Sequence, residues 1–105
     1  MKKAIMMEVA DNVATALTAI EARDDVEVLS SKQEIVQLVK ARDSLPQGHK
    51  IALSDIKKGA EVKKYGATIG IALKDIASGE YVHIHNVKSK RLPLTEHMLG
   101  YGRRK

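Results

Sequence analysis

The sequence predicts a mainly β domain of short, bent strands arranged around a pseudo-two-fold repeat, with one short α-helix near residues 11–22. Two observations carry the β assignment. Residues 51–62, IALSDIKKGAEV, return as residues 71–82, IALKDIASGEYV, with seven identities in twelve positions at a shift of twenty. A fixed-period echo marks one supersecondary unit used again, and two copies suggest a pair of hairpins. Each copy also carries its own punctuation: an Ile-Ala-Leu run, an Asp that can cap a turn, and a Gly four residues later that reaches positive φ cheaply. A central Gly with so few residues between breakers leaves no room for several helical turns.

The remaining elements follow in chain order. Residues 3–9, KAIMMEV, read as a first strand ended by Ala10-Asp11. Asp11 then suits the N-cap of a helix in which Val13, Leu17 and Ile20 fall at helical spacing and Ala14 and Ala16 add propensity. Val26-Glu-Val-Leu29 alternates like a strand, and residues 30–33 form a turn. Residues 34–42, EIVQLVKAR, fit either a helix face or a hairpin partner for the preceding strand. Residues 43–48 are a loop punctuated by Pro46 and Gly48. The doubled segment follows, interrupted by Lys63-Lys-Tyr-Gly66.

At 105 residues the chain has the size of one domain. Three Tyr and no Phe or Trp leave Ile, Val, Leu, Met and Ala to fill the core. The absence of cysteine excludes disulfides and thiolate metal sites and is compatible with a cytoplasmic protein. The start, MKKAIMMEVADN, mimics a signal peptide, but Glu8 and Asp11 interrupt its apolar run. No stretch approaches the length of a membrane span. Residues 1–48 carry six Lys/Arg against eight Asp/Glu, whereas residues 49–105 carry twelve against five. A basic half can attract anions, but basic residues without interleaved stacking aromatics argue against nucleic acid. The domain is expected over residues 1–87, with 88–105 as a basic tail or linker.

His83 and His85 lie one residue apart on an expected strand, so both imidazoles leave one face with Tyr81 beside them. His-x-His can offer two nitrogens to a divalent metal; as a bare motif it equally describes two hydrogen-bonded rim histidines. His49 follows Gly48 in a loop, where it either serves function or ties the loop backbone. Lys50, Lys64 and Arg91 could hold a carboxylate, Arg91 bidentately, although single basic residues are commonly just solvated. Asp55 and Asp75 resemble a carboxylate pair, but their place in the echo marks them as turn formers. His97 lies in the tail with no partner in sight.

Asp11-Asn-Val-Ala14, Gly48-His-Lys50, Asp55-Ile56, Lys64-Tyr-Gly66, Gly79-Glu80, Val82-His83 and His85-Asn-Val87 occur in the order and spacing of a known module. The chain resembles the SAF domain of the altronate and galactarate dehydratases (the UxaA-type family), a module also found as the small subunit of sulfolactate sulfo-lyase. The resemblance implies a β-clip fold and favours strand for residues 34–42. It implies catalytic roles for His49, His85 and Asn86, beside which Lys50, Lys64 and Arg91 remain the candidates for substrate binding by their charge and His83 with His85 the candidate metal ligands by their spacing. It also implies a divalent metal, iron or manganese, in the complete enzyme. Leu99-Gly-Tyr-Gly-Arg103 looks like the segment where the family's large catalytic domain begins.

The expected function is an accessory domain or small subunit that completes the site of a larger catalytic partner acting on a sugar acid. No turnover is expected from the chain alone, and the reading leaves room for a homo-oligomer. A small subunit of a sulfolactate sulfo-lyase-like enzyme is an alternative, as is a carbohydrate or anionic-glycan binding module. Neither nucleic acid nor membrane is an expected partner.

Overall fold

In the computed structural model the described residues are 1–89, and they form nine strands and no helix. One sheet has the order β4 (Ile35–Lys40), β3 (Asp25–Leu29), β1 (Lys2–Ile5), β2 (Val13–Ala16), β5 (Lys50–Ala52), β8 (Tyr81–Val82). The other has the order β6 (Glu61–Lys64), β7 (Ala67–Ala72), β9 (Val87–Ser89). β1 and β3 are parallel, and the other strand pairs are antiparallel. No helix of the described residues is long and apolar enough to cross a membrane.

The echo legible in the sequence is half of a fourfold pattern. Residues 16–26, 41–51, 52–62 and 72–82 share one bend, with key positions at the same spacing. Each begins with a buried alanine: Ala16, Ala41, Ala52 and Ala72. Four residues on comes a buried aliphatic (Ile20, Leu45, Ile56 or Ile76), and each unit closes on another (Val26, Ile51, Val62 or Val82). Between these two lies a residue of positive φ: Arg23, Gly48, Gly59 or Gly79.

The units interlock two by two. Ile20 and Leu45 exchange backbone hydrogen bonds of 2.9 and 2.8 Å, and Ile56 and Ile76 exchange two of 2.7 Å. The amide of each positive-φ residue donates to the first alanine of the partner unit: Arg23 to Ala41, Gly48 to Ala16, Gly59 to Ala72 and Gly79 to Ala52. The expected pair of self-contained hairpins is therefore corrected. Incoming β5 of the third unit pairs with outgoing β8 of the fourth, and outgoing β6 of the third pairs with incoming β7 of the fourth. The bend turns the two arms of a unit apart, so their ladder groups find partners on the neighbouring unit.

The helix expected over residues 11–22 is also overturned. Residues 13–16 are β2, an interior strand between β1 and β5. Val13 enters one core cluster while Ala14 and Ala16 enter the other. Both faces of the strand are covered, so apolar residues run on without the alternation that would have identified it. Leu17, assigned to the helix's apolar stripe, is 40% exposed. Tertiary burial outweighs the modest helix propensity of the alanines. Asp11 caps no helix. Its buried carboxylate accepts backbone amides from Met7, Glu8, Tyr65 and Gly66, joining the loop after β1 to the β6–β7 turn.

β1 is shorter than expected, ending at Ile5, because Met7 and Glu8 are drawn into this Asp11 contact. The segment left open between helix and strand is β4, paired with β3 along its length. One core cluster gathers Ile20, Val26, Val28, Leu45 and Ile51, and the other gathers Val13, Ile56, Val62, Ile76 and Val82. Each such side chain, fully buried, contributes about 1.5–3 kcal/mol.

Candidate functional site

The candidate site forms where the second unit ends beside the end of the fourth. Gly48 turns the chain at φ +85°, and His49 follows immediately before β5. The next residue, Lys50, opens β5 and pairs with Val82 of β8. This register sets Tyr81 opposite Ile51 and brings its ring to His49. The hydroxyl of Tyr81 lies 2.5 Å from Nδ1 of His49.

Tyr81 is the centre of the cluster. Its ring centroid is 5.6 Å from that of His49, 5.5 Å from His83 in a stacked arrangement, and 5.5 Å from His85. His49 and His83 are themselves 5.0 Å apart. The structure thus brings His49, His83 and His85 around one ring, but the strand expected under His83 and His85 is not there. β8 ends at Val82, and residues 83–86 form a tight turn. The turn is closed by the amides of Asn86 and Val87, both donating to the carbonyl of His83.

Asn86 is fully buried, and both ends of its amide are committed. Its Nδ2 donates to the carbonyl of Tyr81, and its Oδ1 accepts the amide of His83. It thus positions the histidine turn from beneath. Asp43, which the sequence did not single out, acts similarly by accepting the amide of Tyr81 at 2.9 Å. The same holds for Asn12, whose side chain bonds Glu61 and Lys63 across to the second sheet. Nothing local reveals the anchoring roles of Asp43 and Asn12, because their partners lie tens of residues away.

Lys50 and Lys64 line one groove of about 440 Å³ together with His83, Ile69, Tyr65 and Val87. Among the described residues neither lysine has a carboxylate within ion-pair distance. Burial holds the Lys50 ammonium below its usual range, and the charge of Lys64 adds to the effect. His83 is likewise lowered, first by desolvation and then by His49, Lys50 and His85. The groove wall is therefore a place where positive charge accumulates without a counter-ion, suited to an anion.

A metal centre is not assembled here by the described residues. No three His, Cys, Asp or Glu side chains converge on one point among them, and Nδ1 of His49 is occupied by Tyr81. Asp55 and Asp75 are turn formers, as expected, but each serves the partner unit. Asp55 accepts the amide of Ser78, and Asp75 accepts that of Lys58. Arg91, His97 and the segment 99–103 lie outside the described residues.

The family model described as the altronate/galactarate dehydratase SAF domain matches residues 2–90. The altronate dehydratase of Escherichia coli is 42% identical over 93 residues, which are 89% of this chain and 18% of that protein. The altronate dehydratase of Bacillus subtilis is 37% identical over 89 residues, or 85% of this chain and 17% of that protein. The (2R)-sulfolactate sulfo-lyase subunit alpha of Paracoccus pantotrophus is 45% identical over 51 residues, or 49% of this chain and 76% of that subunit. The chain thus spans less than a fifth of the length of the dehydratases it matches.

Proposed function

Since the chain belongs to the altronate/galactarate dehydratase SAF domain family, we propose that it is the accessory module of a sugar-acid lyase, completing a site whose larger part lies in a separate catalytic domain or subunit. The observation that carries this reading is the placement of three imidazoles around Tyr81, beside a lysine-lined groove with no carboxylate partner. The four interlocked bends are the β-clip architecture of this reading. β9 ends the described part of the domain at Ser89.

In the complete enzyme, a dehydratase removes the proton α to a carboxylate and expels water from the β-carbon. In this assignment Lys50 and Lys64 hold the substrate carboxylate, with Arg91 as a third cation, and His49 and His85 face the partner's reacting groups. Asn86 keeps the histidine turn in place. A divalent metal, iron or manganese, in the assembled enzyme would stabilise developing oxyanion charge. His83 and His85 could supply two of its ligands, and the remainder would come from the partner. The likeness to a subunit alpha of (2R)-sulfolactate sulfo-lyase supports a small-subunit arrangement, with sulfite as the leaving group in that variant.

The test is reconstitution. The chain alone is expected to show no turnover of altronate, and adding it to a catalytic chain that lacks this module is expected to restore 2-keto-3-deoxy acid formation. Full activity of the catalytic chain without it would overturn the proposal.

A further inference from the structure

We infer that Tyr81 is a positioning residue whose hydroxyl fixes the proton of neutral His49 on Nε2, making the free edge of that imidazole a hydrogen-bond donor. The inference starts from the Tyr81 hydroxyl, 2.5 Å from Nδ1 of His49. A phenol, with an ordinary pKa of about 10, is a far stronger acid than the N–H of neutral imidazole, and the unprotonated ring nitrogen is the better acceptor. The favoured arrangement is therefore O–H donating to Nδ1, which leaves the single ring hydrogen on Nε2.

Tyr81 is held so that this contact persists. Its amide donates to Asp43 and its carbonyl accepts from buried Asn86. Its ring is stacked on His83 at an interplanar angle of 16° and meets His85 at 58°. Displacing the hydroxyl oxygen from His49 would require the ring to swing about its Cα–Cβ bond and so disturb both ring contacts.

The tautomer selects the chemistry. The free nitrogen of His49 has no lone pair to give a metal ion, but it has a hydrogen to give an oxygen. With the ammonium groups of Lys50 and Lys64 nearby, the surface presents donors suited to a carboxylate. This part deepens the proposed function and rests on it, whereas the proton position stands independently.

Long-range ¹H–¹⁵N correlation on the ¹⁵N-labelled full chain at about pH 8, where unperturbed imidazoles are neutral, reads the proton position directly. His49 is expected to show the Nε2–H pattern, and Y81F is expected to replace it with a mixture of tautomers. An Nδ1–H pattern in the unaltered protein, or an unchanged pattern in folded Y81F, overturns the inference. If Y81F does not fold, the pattern of the unaltered protein decides alone. In the reconstituted enzyme, Y81F is expected to raise KM for altronate about tenfold, a loss of about 1.4 kcal/mol, with kcat little changed. Unaltered kinetics beside an altered tautomer would uphold the proton assignment and sink the carboxylate role.

Discussion

Asn86 shows how one side chain can matter without touching a ligand. Its amide satisfies one backbone donor and one backbone acceptor inside the protein. Replacement by Ala leaves both unpaired, at a cost of about 2–3 kcal/mol. Urea unfolding of N86A should show that loss, together with shifted resonances of His83 and His85. Unchanged stability would mean that water reaches the turn.

His83 gives a pH prediction of definite sign. Its pKa lies below the ordinary value, so near that value the folded chain binds fewer protons than the unfolded one. The contribution of this group therefore makes stability fall as pH drops below about 6.5 and level off above it. K50Q removes one of the neighbouring charges that act on His83. The variant should raise the His83 midpoint in an NMR titration, and an unmoved midpoint would show that the Lys50 charge does not act on it. The histidines themselves were legible as motifs. The contact between His49 and Tyr81 was not, because it depends on the pairing of β5 with β8 between residues 32 apart in the chain.

At the scale of the element, the four bends form a natural mutational series. A β-carbon added at Gly59 meets nothing within 4 Å, so G59A should cost only the left-handed backbone penalty of about 1–2 kcal/mol. At Gly79 the same atom would fall 2.1 Å from the carbonyl oxygen of Lys40, so G79A should destabilise considerably more. Arg23 already occupies the equivalent position at φ +79°. R23G should relieve that strain and stabilise by about 0.5–1 kcal/mol.

The caps tell a similar story. Asp55, Asp75 and Ser44 each accept an amide of the partner unit, from Ser78, Lys58 and Ala22 respectively. Ala19, at the same place in the first unit, has no oxygen to offer Gln47. A19D should add the missing cap and raise stability by about 0.5–1 kcal/mol, measured by thermal or urea unfolding. These absences also explain what the sequence concealed. Units three and four keep Gly, Asp and Ile in register and read as an echo. Units one and two carry Arg23 for Gly, Ala19 for Asp and Leu45 for Ile, so spacing survives while identity disappears. Helical periodicity then filled the gap in residues 11–22 with the wrong element.

For the molecule as a whole, β5 is decisive because one strand contains both the end of the second unit and the start of the third. The two interlocked pairs thereby share a strand, and Asp11 and Asn12 tie the two sheets together. Unfolding should be a single event. Tyrosine fluorescence and far-ultraviolet circular dichroism should give coincident urea transitions. Two separated transitions would show that the pairs fold independently.

The Tyr81 cluster straddles the seam between the pairs, taking His49 from one and His83 from the other. Any molecule gripped between those imidazoles becomes a rivet through both halves. By mass action its occupancy opposes their separation, by about 2.7 kcal/mol at a hundredfold excess over Kd. Slowed amide exchange along residues 50–52 and 81–82 would then report binding in the absence of any turnover.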